Sequence, residues 1–205
     1  MTFHLGSTCR GFLWLAFGVL WVAATGTGLA MLAHYANSAG KTQPAPSHWP
    51  MGSRIQLSDD RASLVLFVHP RCPCTRASLG ELEKIVAHYG AAMEPWVVFL
   101  KPAGAGNNWE QTDLWRTAIA IPGVHVISDV GGAEARRFHA VTSGQTLVYS
   151  DRGELLFDGG ITYARGHAGD NAGRTAIEMC LSGHAPGYRE TPVFGCSIAV
   201  TAEEK

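Results

Sequence analysis

Residues 63–90 read SLVLFVHPRCPCTRASLGELEKIVAHYG and join a hydrophobic run to an amphipathic pattern through two cysteines. The run at 63–69 is apolar and rich in β-branched side chains, which is typical of a buried strand. From residue 74 onward, apolar side chains recur with the spacing of one helical face, which predicts a helix over 74–90. Cys72 and Cys74 therefore lie at a predicted strand-to-helix junction.

The same alternation of strands and helices continues along the chain. The patterns predict two strands at 95–102 and 124–129, three helices at 108–121, 132–141 and 169–183, and a hairpin at 145–160. Asp170 is the predicted N-cap of the last helix. Strands that alternate with helices and end in a hairpin and a helix predict an α/β sandwich around a mixed sheet.

The N-terminal part contains a run without charged residues from Gly11 to Ala33. Its length matches the roughly 20 residues that span the hydrocarbon core of a bilayer. We predict a short tail at 1–10 and a transmembrane anchor at 11–35, with a cleaved signal peptide as the alternative. Arg10 before the run predicts a single-pass protein with a cytoplasmic N-terminus and a periplasmic or extracellular domain.

The rest of the chain divides by composition. Residues 36–53 are rich in Pro, Ser and Ala and predict a linker, which leaves a folded domain at 54–185 and a C-terminal tail at 186–205. An exported domain would meet an oxidising compartment. The chain has 205 residues and a formal net charge of −1, so no basic face for binding nucleic acid is expected.

Two stretches, LVLFVHPRCPCTRASLGELEKI and ISDVGGAEARRFHAVTSGQTLVYSDRGELLFDGG, resemble segments of membrane-anchored thioredoxin-like proteins. The resemblance covers roughly residues 54–183. It implies a thioredoxin-like three-layer sandwich, in which a mixed central sheet lies between flanking helices, and a thiol–disulfide oxidoreductase that acts on a protein partner. CPCTRAS together with TPVFGC is similar, more narrowly, to the RedB group.

The chain departs from the thioredoxin-like pattern at two places. In the resemblance, Cys72 falls on the nucleophilic cysteine and Thr75 on the resolving cysteine. Cys74 comes one position early, which makes the motif C-x-C instead of C-x-x-C. Gln145 falls where the family has its cis-proline. The resemblance therefore implies the fold, whereas the usual activity does not follow automatically.

The residue types around CPCT favour a reactive sulfur. Pro73 suits the first position of a helix, which predicts Cys72 as the N-cap and places Cys74 in the first turn. The positive end of the helix dipole stabilises thiolate over thiol. Arg71 and Arg76 are expected to add positive charge near the sulfurs.

A third thiol, Cys196, lies beyond the last predicted helix in RETPVFGCSI, a segment that can fold back. We predict that Cys72 attacks and that Cys74 or Cys196 resolves, with no cofactor required. The alternative is a copper or zinc module in which these three cysteines bind the ion, with His69 as a further ligand. The spacing of the residues leaves both hypotheses open.

Overall fold

The computed structural model describes residues 7–198, which divide into two compact units between Asn37 and Ser38. The first unit is a single helix, α1 (Ser7–Ala36). Its stretch Arg10–Ala36 has the length and composition of a helix that crosses a membrane. A signal sequence near an N-terminus has the same properties.

The second unit is built around one five-stranded mixed sheet with the order β3-β2-β1-β4-β5. The strands β1, β2 and β3 run parallel to one another, whereas β4 is antiparallel to both β1 and β5. The strands are β1 (Ala62–Val68), β2 (Met93–Lys101), β3 (His125–Val130), β4 (Gln145–Tyr149) and β5 (Leu155–Gly160). The mixed sheet predicted from the sequence is confirmed.

Helices cover both faces of the sheet. They are α2 (Thr75–Tyr89), α3 (Asp113–Ala120), α4 (Ala133–Arg137) and α5 (Ala172–Leu181), with a 3-10 turn at Gly90–Ala92. Along β1, Leu64 and Leu66 pack in the cluster with α2, α3 and α5, while Val65 and Phe67 pack in the cluster with α4. Because side chains alternate along a strand, β1 is apolar on both faces. The unit is therefore a three-layer sandwich.

The helices α3 and α4 are each shorter than predicted. The helix predicted at 108–121 begins at Asp113, and the helix predicted at 132–141 ends at Arg137. Asn108 has a φ of 64° and His139 a φ of 56°. Residues in the left-handed region cannot continue a right-handed helix. These two residues therefore lie outside the helices. The apolar pattern of the sequence had included both of them.

The N-cap of α5 is Asn171 and not Asp170, so that prediction is wrong. The Asn171 Oδ1 atom accepts a hydrogen bond of 2.8 Å from the Arg174 backbone N–H. Asp170 is fully exposed and pairs with the Arg174 guanidinium instead. Both residue types cap helices well, and the backbone path into α5 decides between them.

We expect Asn171→Ala to lower the free energy of unfolding by about 1–2 kcal/mol, because the cap hydrogen bond is lost. Urea unfolding of the whole chain measures the difference. Asp170→Ala is the matched control and is expected to unfold like the wild type, since an ion pair of an exposed carboxylate contributes little. Equal losses in the two variants would contradict the assignment of the cap.

The segment predicted as a linker packs against the second unit from Ser38 onward. The backbone N–H of Trp49 donates to the Gly153 carbonyl at 2.8 Å. The Trp49 ring meets Phe138 and Tyr149 edge-on at centroid distances of 5.1 and 5.2 Å. These contacts bury the aromatic side chains on the α4 side of the sheet. The Pro-rich segment from Ser38 to residue 53 is therefore packed on the second unit and is not a free linker.

The C-terminal segment also returns to the sheet. The Gly40 N–H donates to the Val193 carbonyl at 2.8 Å, and the Asp158 N–H donates to the Arg189 carbonyl at 2.9 Å. Val193 and Ile198 are buried. Part of the predicted tail thus belongs to the folded unit, while its residues 199–205 lie outside the described residues.

Candidate active site

Cys72 and Cys74 lie in the turn between β1 and α2, and both are buried. The Cys72 carbonyl accepts the Thr75 N–H at 3.1 Å, and the Cys74 carbonyl accepts the Ala77 N–H at 3.1 Å. The helix begins at Thr75 with Cys74 as its N-cap residue. The prediction of Cys72 as the N-cap is wrong, because a tight turn around Pro73 precedes the helix.

Cys196 reaches this turn from the C-terminal segment. Its N–H donates to the Cys72 sulfur at a distance of 3.4 Å. Its carbonyl accepts the Ser143 N–H at 2.8 Å, and the Ile198 N–H donates to the Val141 carbonyl at 3.0 Å. Residues 196–198 therefore run along the loop before β4, and this pairing holds Cys196 at the sulfur of Cys72.

The Cys72 thiol is held in conditions that favour its thiolate. Burial raises the pKa of Cys72, but hydrogen bonds outweigh burial and leave this pKa below its ordinary value. The donors are the thiol and N–H of Cys196, the N–H of Cys74 and the Ser143 hydroxyl. Because the thiolate is the nucleophilic form, Cys72 is the sulfur best suited to attack.

The other two thiols are held in the protonated form. Burial, the negative charge of Cys72 and a hydrogen bond to it raise the pKa of Cys74. Burial, the hydrogen bond to Cys72 and the charge of Cys72 raise the pKa of Cys196 to about 12. One negative charge is thus concentrated on Cys72, and its two neighbours donate to it.

Arg165 supplies the positive charge at these sulfurs, and the sequence reasoning missed it. The positive charge of Arg165 opposes the increase in the pKa of both Cys74 and Cys196, and its side chain also hydrogen-bonds Cys74. Its Nη1 donates to the Gly195 carbonyl at 2.6 Å and its Nε to the Ser38 carbonyl at 2.9 Å. Arg165 lies in a glycine-rich loop far from CPCT in sequence, and no local pattern marks it.

The two arginines predicted to support the thiolate have other partners. The Arg71 guanidinium lies 4.5 Å from the centroid of the Trp109 ring. Arg76 forms an ion pair with Asp113. Both arginines are exposed, so solvent screens their charges. Their predicted role at the sulfurs is therefore taken by Arg165.

Thr75 aligns with the resolving cysteine in the resemblance, and its hydroxyl hydrogen-bonds the hydroxyl of Ser143. The Thr75 and Ser143 hydroxyl oxygens lie 2.9 Å apart, and both residues are buried. The Ser143 Oγ also accepts the His69 N–H at 2.9 Å. Ser143 therefore ties the end of β1 to the start of α2 while its hydroxyl hydrogen-bonds Cys72.

The side chain of Gln145, which falls at the cis-proline position in the resemblance, hydrogen-bonds Asp158 and Val141. Its Nε2 donates to the Asp158 Oδ1 at 2.8 Å, and its Oε1 accepts the Val141 N–H at 3.2 Å. Gly144, with a φ of 94°, turns the chain between Ser143 and Gln145. Ser143 is consequently the residue of this loop that faces Cys72.

His69 has its own contacts in the loop after β1. Its Nδ1 accepts the Arg71 N–H at 3.1 Å, and its ring meets Trp109 edge-on at 5.8 Å. Within residues 7–198, no group of three or more His, Cys, Asp or Glu side chains is arranged to hold a metal ion. The copper or zinc hypothesis, with its ligands Cys72, Cys74, Cys196 and His69, stays a prediction.

No protein-family model and no curated protein matches the chain. A hypothetical protein from Sinorhizobium meliloti 1021 is similar in structure, with 23% identity, a TM-score of 0.56, and coverage of 80% of this chain and 96% of that one. An uncharacterized conserved protein from Geobacillus kaustophilus has 15% identity, a TM-score of 0.57, and coverage of 81% and 94%.

A secreted disulfide oxidoreductase from Mycobacterium tuberculosis is a more distant structural neighbour. It has 13% identity and a TM-score of 0.44, with coverage of 62% of this chain and 84% of that one. At such identities these similarities bear on the fold alone. The sheet order and the helices on both faces define a thioredoxin-like fold. The narrower resemblance to RedB is not confirmed.

Proposed function

We propose that this protein carries out thiol–disulfide exchange with Cys72 as the attacking thiol. The observation that carries the proposal is the convergence of two thiols on the buried sulfur of a third cysteine. Cys74 and Cys196 both donate to Cys72, whose pKa is lowered despite burial. A stabilised thiolate beside two protonated thiols is the arrangement that attack and resolution require.

The exchange proceeds in two displacements. The Cys72 thiolate attacks one sulfur of a partner protein's disulfide, which breaks that bond and releases a partner thiolate. A second thiol of this chain, Cys74 or Cys196, then loses its proton and attacks the Cys72 sulfur. The partner leaves with both cysteines reduced, and this chain keeps a disulfide. Cys72 is only 1% exposed, so the first step requires a local opening of the segment around Cys196.

We expect Cys72 to be alkylated by iodoacetamide at lower pH than Cys180 of the same chain. The pKa of Cys72 is lowered, whereas burial raises the pKa of Cys180 on α5. Between these two values Cys72 is thiolate while Cys180 is thiol, and only the thiolate reacts. Mass spectrometry of the peptides after alkylation at a series of pH values measures both rates.

Two controls accompany this titration. Unfolded protein should lose the difference between the two cysteines, because the hydrogen bonds to Cys72 are then absent. Cys72→Ser should lose the reaction with 5,5′-dithiobis(2-nitrobenzoate) that occurs at the lowest pH, whereas Cys180→Ser should keep it. If Cys72 titrates with or above Cys180 in the folded protein, the proposal is wrong.

Copper or zinc binding is the second candidate, and it is supported by the ligand types of Cys72, Cys74, Cys196 and His69, since thiolates and imidazole suit these ions. Metal analysis of protein purified under reducing conditions distinguishes it from thiol exchange. Stoichiometric metal that is lost in the double variant Cys72→Ser/Cys74→Ser would support the metal module. Protein that stays free of metal at micromolar copper or zinc would count against it.

We also propose that α1 anchors the protein in a membrane, with the thioredoxin-like unit outside the cytoplasm. The length and apolar composition of Arg10–Ala36 support this location. An anchor would hold the exchange site near a membrane and in a compartment where disulfides persist. Fractionation of cells that express the full chain, with protease added from the outside, tests both the anchor and its orientation.

A further inference from the structure

Two thiols compete to resolve a disulfide at Cys72, and their backbones differ. Cys74 is separated from Cys72 by Pro73 alone, and it opens α2 through the hydrogen bond from Ala77. A disulfide needs a Cα separation of about 4.4–6.8 Å and a specific dihedral. Closing such a bond across one rigid proline would distort the first turn of α2.

Cys196 is free of that constraint because it comes from a separate segment. Its N–H already lies 3.4 Å from the Cys72 sulfur. On one side this segment pairs with residues 141–143, as the bonds of Ser143 and Ile198 show. On the other side, Arg165 donates to the Gly195 carbonyl.

We infer that Arg165 is a positioning residue that holds Cys196 at Cys72, so that Cys196 and not Cys74 resolves the mixed disulfide. The inference rests on the proposed exchange function. The Arg165 guanidinium uses Nε for Ser38 and Nη1 for Gly195, so it ties both chain segments together at the site. A planar guanidinium with several fixed donors suits this task better than an ammonium group.

The charge of Arg165 opposes the increase in the pKa of Cys74 as well as of Cys196, so it assists the second displacement while the position of Cys196 decides which thiol resolves. Before the reaction, the hydrogen bond to Cys72 and its negative charge help to raise the pKa of Cys196. Once Cys72 is part of a mixed disulfide, its charge is gone, while the charge of Arg165 remains. The resolving thiol is thus released for deprotonation only after Cys72 has reacted.

The electrons and atoms balance without a further reagent. Cys196 loses its proton to solvent, and its thiolate attacks the Cys72 sulfur of the mixed disulfide. The bond between Cys72 and the partner's sulfur breaks, and the partner's thiolate leaves and takes up a proton. The two thiols of this chain have then given two electrons to the partner's disulfide.

The test uses the reduced full chain and 5,5′-dithiobis(2-nitrobenzoate), which releases one coloured thiolate at each displacement. With one equivalent of the reagent, wild type should release two equivalents of thiolate and form a Cys72–Cys196 disulfide, which peptide mapping identifies. Cys196→Ser should retain the aromatic thiol on Cys72, as read from the intact mass. Cys74→Ser should still form the Cys72–Cys196 disulfide.

Arg165→Met should slow the second release about tenfold or more, because a charge-assisted hydrogen bond is lost. The pH profile of this step should move to higher pH, and Arg165→Lys should restore the profile but only part of the rate. Arg152→Met, in the exposed turn between β4 and β5, is the matched control. A general change of the fold would not explain a variant, Arg165→Lys, that recovers the pH profile of the second release but only part of its rate.

The outcomes separate the inference from the function on which it rests. A Cys72–Cys74 disulfide formed by Cys196→Ser at the wild-type rate overturns the inference and leaves thiol exchange in place. An unchanged second release in Arg165→Met overturns the role of Arg165. Failure of Cys72 to react in the wild type, with neither an adduct nor a disulfide at Cys72 in the peptide map, overturns the exchange function itself.

Discussion

Gly195→Ala is expected to reduce the yield of the Cys72–Cys196 disulfide at least about tenfold under fixed oxidising conditions. A Cβ at this position would lie 1.8 Å from the Ser143 carbonyl oxygen and 2.9 Å from its carbon. Both are backbone atoms and cannot rotate away. The segment must therefore shift, and the hydrogen bond from Cys196 to Cys72 is lost.

The shift of this segment should also change the alkylation rate and the pKa of Cys72. Cys72, now 1% exposed, should be alkylated faster at high pH because the segment over it is loosened. Its pKa should rise toward the ordinary value, since donors from Cys196 help to lower it. The titration with iodoacetamide measures both effects.

Gly187→Ala is the matched control for this variant. Gly187 lies in the same C-terminal segment, and a Cβ there meets no atom within 4 Å. It should give the wild-type yield of disulfide and the wild-type titration of Cys72. A normal yield from Gly195→Ala would show that the close approach to Ser143 does not position Cys196.

Gly173→Ala is expected to lower the free energy of unfolding by about 3 kcal/mol or more. Gly173 lies in the first turn of α5, where a Cβ would be 1.9 Å from the Gly160 carbonyl oxygen. That carbonyl belongs to β5 and cannot yield without moving the edge of the sheet. The close contact between α5 and β5 thus depends on the missing side chain.

Gly80→Ala distinguishes this contact from the general effect of a glycine in a helix. Gly80 lies within α2, and a Cβ there meets no atom within 4 Å. It should raise the free energy of unfolding by up to about 1 kcal/mol, because alanine favours the helix more than glycine does. Urea unfolding of both variants should give changes of opposite sign.

Much of the fold was predictable because it is encoded in neighbouring residues. The continuous apolar run of β1 and the helical spacing after Cys74 carry their own periodicity, and the structure has both elements within a few residues. The predicted helix ends failed where backbone conformation decides, as at Asn108 and His139. The choice between Asp170 and Asn171 as the cap failed for the same reason.

The candidate site was predictable only in part. Cys72 and Cys74 could be predicted as site residues because they lie at the strand-to-helix junction. Arg165 and Ser143 lie far from them in sequence, in loops whose patterns are shared by ordinary turns. Arg71 and Arg76 were expected at the sulfurs because they are near in sequence, yet they extend to Trp109 and Asp113.

The sequence by itself determined an alternating order of strands and helices, an apolar N-terminal helix and two cysteines before α2. These features follow from local periodicity and spacing, which each segment carries alone. Only the tertiary structure decided that Cys196 meets Cys72 and that Arg165 holds it there. Those contacts join segments distant in sequence, and they form only where burial and backbone hydrogen bonds bring the C-terminal segment against the loop before β4.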